Sequence, residues 1–199
     1  MTDPKLLVAT TNPGKVREIR KFLSGLPIEI LGLDEVLPGA EFEETGRTFL
    51  ENARAKSLHY GSLSGLLTLA EDSGLEIEAL GGEPGVYSAR YSGPRATDAK
   101  NVRKVLKNLG GVPREKRRAR FVCAMVLSER GRIIREIRGE VHGTIAFSPR
   151  GTDGFGYDPI FIPLGYQQTF GELSSEVKHT LSHRGCAAAA LMARLKGKH

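Results

Sequence analysis

The sequence predicts an α/β fold, and three stretches carry that prediction. Lys5 to Ala9 is a short apolar run, followed by a small polar loop and a helix with Val16, Ile19, Phe22, Leu23 and Leu26 at helical spacing. Thr48-Phe49-Leu50-Glu51 has the capping-box pattern and opens a second helix, with Asn52 and Lys56 on one face, ahead of an apolar strand from Leu67. Phe121 to Leu127 is continuously apolar, as expected of a strand covered on both faces. Strands alternating with helices in this way build α/β layers.

Between the first strand and helix lies Thr10-Thr11-Asn12-Pro13-Gly14-Lys15. A helix N-terminus behind such a loop offers free N–H groups and a favourable dipole to a phosphate. The spacing is too short for a Walker A loop, and an ordinary strand-to-helix turn accounts for it equally well. Ile28 to Leu31 reads as a second strand. The loop Leu37 to Gly46 carries Glu41, Glu43 and Glu44, with Glu35 just before it, and most of these acids are expected in solvent.

The strand from Leu67 is expected to stop at Glu71-Asp72-Ser73-Gly74. Asp-Ser-Gly is common turn chemistry. Two adjacent acids at a strand end would equally suit Mg²⁺, which takes oxygen ligands and is usually held by one or two carboxylates with substrate phosphates. Thr97 and Asp98 are set to cap a helix with Val102, Val105, Leu106 and Leu109 on its apolar side. Pro113 to Arg120 is the densest basic cluster; it lacks interleaved aromatics on which bases could stack and is read as a solvated connection.

Arg132 to Ile145 returns after Glu129-Arg130-Gly131, forming an antiparallel pair near the sheet edge. Ser148 to Pro159 is glycine-rich, and its Phe155 and Tyr157 either anchor the loop to the core or, for Phe155, face a base. Asp158-Pro159 opens a short strand through Ile162. Ser182 is a natural N-cap for the alanine-rich helix from Cys186 to Leu195, which places His183 and Arg184 in the first turn. The helix dipole disfavours cations there, and such local conflicts tend to mark functional sites or a compensating anion.

A chain of 199 residues, 40% hydrophobic and 26% charged, has globular composition and suits one domain or two closely packed lobes. Its net charge of +6 favours an anionic partner without choosing among nucleotide, polyphosphate and nucleic acid. The two cysteines, Cys123 and Cys186, have neither zinc nor disulfide spacing and read as buried thiols. Met-Thr-Asp-Pro-Lys is too short and too acidic for a signal peptide, and no apolar stretch is long enough to span a bilayer. A soluble, cytoplasmic protein is expected.

Taken together, carboxylates at Glu44, Glu71 and Asp72, cations at Lys15 and Lys56 and an aromatic at Phe155 are the parts of a magnesium-nucleotide site. In order along the chain, Ala9 to Lys15, Glu44-Thr45-Gly46, Ala70 to Leu75, Gly82 to Arg90, Gly154 to Pro159 and Ser182-His183-Arg184 resemble the inosine triphosphate pyrophosphatase family. That family hydrolyses deaminated purine nucleoside triphosphates such as ITP, dITP and XTP to the monophosphate and pyrophosphate.

The resemblance implies a long mixed β-sheet flanked by helices, two lobes with the active site in a cleft, one pyrophosphatase domain over residues 1–199 and a homodimer. It implies Asp72 as general base and magnesium ligand, Glu44 as second metal-binding acid, and Glu71 as a further candidate ligand. Thr10, Thr11, Asn12, Pro13, Gly14, Lys15 and Lys56 would meet the triphosphate, and Ser73 adjoins the catalytic acid. Phe155, Gly156, Tyr157, Asp158, Lys178, Ser182, His183 and Arg184 would receive the purine. Neither a stable nucleic-acid partner nor a membrane is expected. A nucleotide-sensing protein without turnover and a pyrophosphatase for other modified nucleotides are the alternatives.

Overall fold

The architecture comes from a computed structural model that describes residues 4–196. The reading of the N-terminal pentapeptide falls largely on residues 1–3, outside the described residues. Six strands form one mixed sheet in the order β2-β1-β3-β4-β5-β6. They are β1 (Lys5–Val8), β2 (Glu29–Gly32), β3 (Leu67–Ile77), β4 (Arg118–Glu129), β5 (Arg132–Ile145) and β6 (Phe161–Pro163). β1 pairs in parallel with β2 and with β3, whereas β5 and β6 are antiparallel. The helices are α1 (Pro13–Leu23), α2 (Leu33–Val36), α3 (Phe49–Ser64), α4 (Asp98–Asn108), α5 (Ser175–Leu181) and α6 (His183–Lys196). Among the described residues no helix is long and apolar enough to cross a membrane.

The chain divides into two compact units. The first takes the chain up to Asp72, Cys123–Gly139 and the chain from Cys186 onward; the second takes Ser73–Val122 and Glu140–Gly185. In the first unit the alternation of side chains along β1 separates two cores. Leu6 and Val8 join Ile19, Leu23, Cys123, Met125 and Ala188 on one face, while Leu7 and Ala9 join Leu33, Tyr60 and Ala70 on the other. The second unit has its own core, where Leu75, Ile77, Val102, Val105, Phe121, Phe161 and Phe170 meet.

Most predicted elements are present, and their differences from expectation have local causes. β3 does not stop at Glu71; it runs on through Asp72, Ser73 and Gly74 to Ile77, past Leu69 where its register with β1 ends, because pairing in the sheet beside β4 overrides the turn preference of these residues. The capping box at Thr48 is half formed. Thr48 Oγ1 accepts from Glu51 N, but Glu51 Oε2 reaches one residue further back and accepts from Arg47 N at 2.8 Å. Arg130 and Gly131, with φ of 50° and 73°, make a two-residue hairpin turn that forces β4 and β5 antiparallel; β4 is nevertheless interior and only β5 approaches the edge. Asp158–Ile160 forms a 3₁₀ turn before β6, and α2 and α5 are short helices that were not expected. Cys123 is buried as expected, but Cys186 is exposed.

The basic cluster Pro113–Arg120 is only in part a solvated connection. Arg117 is 3% exposed, and its guanidinium donates to the backbone carbonyls of Val112, Ala146 and Leu109. Arg120 pairs with Glu76 at 2.7 Å. Arg117 is thus turned inward, whereas Arg120 is half-exposed and engaged by a carboxylate of its own unit.

Candidate active site

In the first unit, β1 delivers the loop Thr10–Asn12 to the start of α1. Asn12 caps that helix, its Oδ1 accepting from Gly14 N at 2.9 Å and Lys15 N at 3.2 Å, with Pro13 in the first turn where its missing N–H costs nothing. Thr10 Oγ1 accepts from Asn12 N and tightens the loop, while Thr11 is exposed beside it. The Lys15 ammonium lies 2.6 Å from Glu71 Oε1.

Glu71 and Asp72 are consecutive on β3 and therefore point to opposite faces. Glu71 shares its face with Cys123, whose Sγ lies 3.2 Å from Glu71 Oε2. Asp72 faces α3, where Asn52 Nδ2 donates to Asp72 Oδ2 at 2.9 Å. The other end of the Asn52 amide accepts from Gly46 N at 2.8 Å, so one side chain joins the acidic loop, α3 and β3. One turn on, the Lys56 ammonium meets Glu44 at 2.5 Å. The spacing places Asn52 on one face with Lys56, but nothing in the sequence marks it as a site residue or shows that it touches Asp72.

Burial is the largest influence on the Asp72 carboxyl and pushes its pKa above the ordinary value. Lys56 pulls it back, Glu44 pushes it up again, and Lys15 and the Asn52 hydrogen bond lower it. Asp72 is therefore a desolvated carboxylate with a like charge and two ammonium groups around it. Among the described residues, no three His, Cys, Asp or Glu side chains are grouped to hold a metal ion. The donor set instead suits a hard cation of the Mg²⁺ kind, which needs one or two carboxylates and draws its remaining ligands from water and phosphate.

In the second unit the glycine loop presents Phe155, half-buried, while Asp158 folds back beneath it. Asp158 Oδ2 accepts from Phe155 N at 2.8 Å and from Lys178 Nζ at 2.6 Å. The Lys178 ammonium lies 4.7 Å and the Arg184 guanidinium 5.7 Å from the Phe155 ring centroid. The loop depends on Gly154, whose φ is +84° and where a Cβ would sit 2.1 Å from Asp158 Oδ2. Tyr157 is an anchor: it is buried, and its hydroxyl donates to Ser88 O at 2.8 Å.

Ser182 caps α6 as expected, Oγ accepting from Gly185 N at 3.0 Å. Arg184 is 2% exposed and donates from Nη2 to Ser73 Oγ at 3.1 Å. His183 stacks on Phe121 with centroids 4.8 Å apart and planes at 10°. The sequence residues expected at the phosphates and metal thus gather in the first unit. Ser73 and the residues expected at the purine gather in the second.

The family model described as the Ham1 family matches residues 6–194. The dITP/XTP pyrophosphatase of Geobacter sulfurreducens is 49% identical over 187 residues, 94% of each chain. That of Bacillus subtilis is 45% identical over 185 residues, 93% of each chain. The solved Ham1 protein of Staphylococcus aureus superposes with a TM-score of 0.89 at 39% identity, covering 98% of this chain and 100% of its own. The nucleoside-triphosphatase / dITP/XTP pyrophosphatase of Mycobacterium abscessus has a TM-score of 0.76 at 43% identity, covering 94% of this chain and 98% of its own. The resemblance read from the motifs is borne out, and on a match spanning nearly its whole length the chain belongs to the Ham1 family.

Proposed function

We propose that this protein hydrolyses deaminated purine nucleoside triphosphates, ITP, dITP and XTP, to the monophosphate and pyrophosphate, and so removes them from the cytoplasmic nucleotide pool. The observation that carries this reading is the buried Asp72, Asn52 and Lys56 with the half-buried Glu44, a group that pairs a desolvated carboxylate with cations in a family whose relatives bear the pyrophosphatase name. We take residues 1–199 as a single pyrophosphatase domain. Thr10–Lys15 and Lys56 receive the triphosphate, Ser73 lies beside the reacting end, and the residues around Phe155 receive the purine.

Asp72 is the general base. Its raised pKa leaves a stronger base than a solvated carboxylate, so it takes a proton from water as the water oxygen bonds to the α-phosphorus. The bond from that phosphorus to the bridging oxygen breaks, and pyrophosphate leaves. Lys15 and Lys56 balance the charge on the departing phosphates. Glu44 and Asp72 would hold Mg²⁺, with Glu71 the further candidate, and the ion when bound supplies neutralisation of phosphate charge. Phe155 offers its face to the base. Donors on His183 and Arg184 favour a 6-oxo purine over adenine, whose amine would leave them unpaired at a cost of about 1–3 kcal/mol. The family resemblance also leads us to propose a homodimer.

The test is product analysis with inosine triphosphate and Mg²⁺, beside the xanthosine, guanosine, adenosine and pyrimidine triphosphates. Inosine monophosphate and pyrophosphate are expected. Orthophosphate as first product, or binding without turnover, would refute the reading.

A further inference from the structure

We infer that Asp98 is a positioning residue for base recognition, holding the Phe155–Gly156 segment to α4; this rests on the reading of Phe155 as the purine platform. The backbone around Phe155 is held on both sides by a carboxylate. Phe155 N donates to Asp158 Oδ2 at 2.8 Å and Gly156 N donates to Asp98 Oδ2 at 2.7 Å. The two bonds do different work. Asp158 belongs to the same loop, three residues on, so its bond fixes the shape of the turn. Asp98 is 58 residues away in sequence, at the first position of an eleven-residue helix packed in the core of the second unit, so its bond fixes where the turn sits.

Gly156 has no side chain with which to anchor itself; its φ is +64°, and the space where a Cβ would stand is open. Asp98 is also spared the capping duty expected of it. Thr97 is the N-cap, with Oγ1 accepting from Lys100 N at 3.3 Å, and that leaves the Asp98 carboxylate for the loop. The next face residue of α4 continues the clamp. Asn101 Nδ2 donates to Ala89 O at 3.1 Å and to Ser88 O at 3.3 Å, the carbonyl that also receives the Tyr157 hydroxyl. Residues 156 and 157 are therefore both tied to one helix face, with Phe155 projecting just before them. A charge-assisted bond of this kind is stronger than a neutral one, and the favourable dipole at the start of α4 keeps the carboxylate in place.

The experiment measures binding of inosine monophosphate and, separately, of pyrophosphate to the intact protein by calorimetry, for wild type, Asp98→Ala and Asp98→Asn, with thermal midpoints recorded alongside. Loss of the acceptor in Asp98→Ala is expected to weaken the monophosphate about tenfold, or ~1.4 kcal/mol, and to change pyrophosphate less than about twofold. In turnover, KM for inosine triphosphate rises while kcat holds. Asp98→Asn keeps an acceptor oxygen for Gly156 N and is expected to restore most of the affinity. Equal weakening of both ligands, unchanged monophosphate binding in Asp98→Ala, or failure of Asn to restore it at an unchanged midpoint would overturn the role of Asp98. A wild type that does not bind the monophosphate would overturn the reading of Phe155 itself, and the inference with it.

Discussion

Asp72 combines two demands that conflict. A carboxylate 5% exposed is costly to ionise, and burial outweighs Lys56, Lys15 and Asn52 in setting the direction of its shift. Because the folded pKa lies above the ordinary 3.8, the stability tied to the protonated form is complete below that value and is lost as pH rises through the folded value. At neutral pH the ionised group therefore weakens the fold. Asp72→Asn is expected to abolish turnover and, in buffer containing a chelator, to melt at a higher temperature than wild type near neutral pH. The two midpoints should converge as pH drops below the ordinary carboxylate range. A variant that retains full activity would remove Asp72 from the role of base, and one that melts lower near neutral pH would contradict the burial argument.

At the scale of elements, the site depends on how tightly the acidic loop, α3 and β3 are joined through Asn52. A methyl group at Gly46 would stand 2.5 Å from Asn52 Oδ1 and 3.0 Å from its backbone nitrogen, and the backbone cannot yield as a flexible side chain would. Gly46→Ala is expected to cost about 1–3 kcal/mol in urea unfolding. Displacing the Asn52 amide also removes a contact that lowers the Asp72 pKa, so the acidic limb of the pH–rate profile should move to higher pH. In the Pro113–Arg120 connection, Arg117→Met would remove the guanidinium from the carbonyls of Val112, Ala146 and Leu109, of which, among the described residues, Leu109 alone keeps a second donor, Val112 N. A loss of about 3 kcal/mol or more is expected, and a change within a few tenths would mean that water replaces the guanidinium.

For the whole molecule, the triphosphate is assigned to Thr10–Lys15 and the purine to the segment around Phe155. Amide hydrogen exchange should then slow at Thr10–Lys15 and at Gly154–Asp158 together when a non-hydrolysable inosine triphosphate analogue and Mg²⁺ are bound. Pyrophosphate alone should protect the first segment, and inosine monophosphate alone the second. At a hundred times its dissociation constant the analogue should add about 2.7 kcal/mol to stability. Protection of both segments by pyrophosphate would show that the division of labour between the two segments is wrongly drawn.

The sequence by itself determined the elements and the chemical inventory. Helical spacing from Val16 to Leu23, beyond which the helix ends before the expected Leu26, the apolar run at Phe121 and the caps at Thr48, Thr97 and Ser182 are local properties, written within a few residues. The motifs at Thr10, Glu44, Glu71, Phe155 and Ser182 likewise identified the family, because they name side chains without needing their positions. Only the tertiary structure decided which side chains meet, since those contacts close over long stretches of chain. Asn52 reaches Asp72 across 20 residues, Arg184 reaches Ser73 across 111, and Arg117 turns inward to carbonyls when its neighbours look like a basic surface. It also decided the fate of Glu71-Asp72-Ser73-Gly74. A turn by local preference, this segment is drawn into a strand by its place in the sheet beside β4, and the alternation of that strand separates the acid beside Lys15 from the acid beside Asn52.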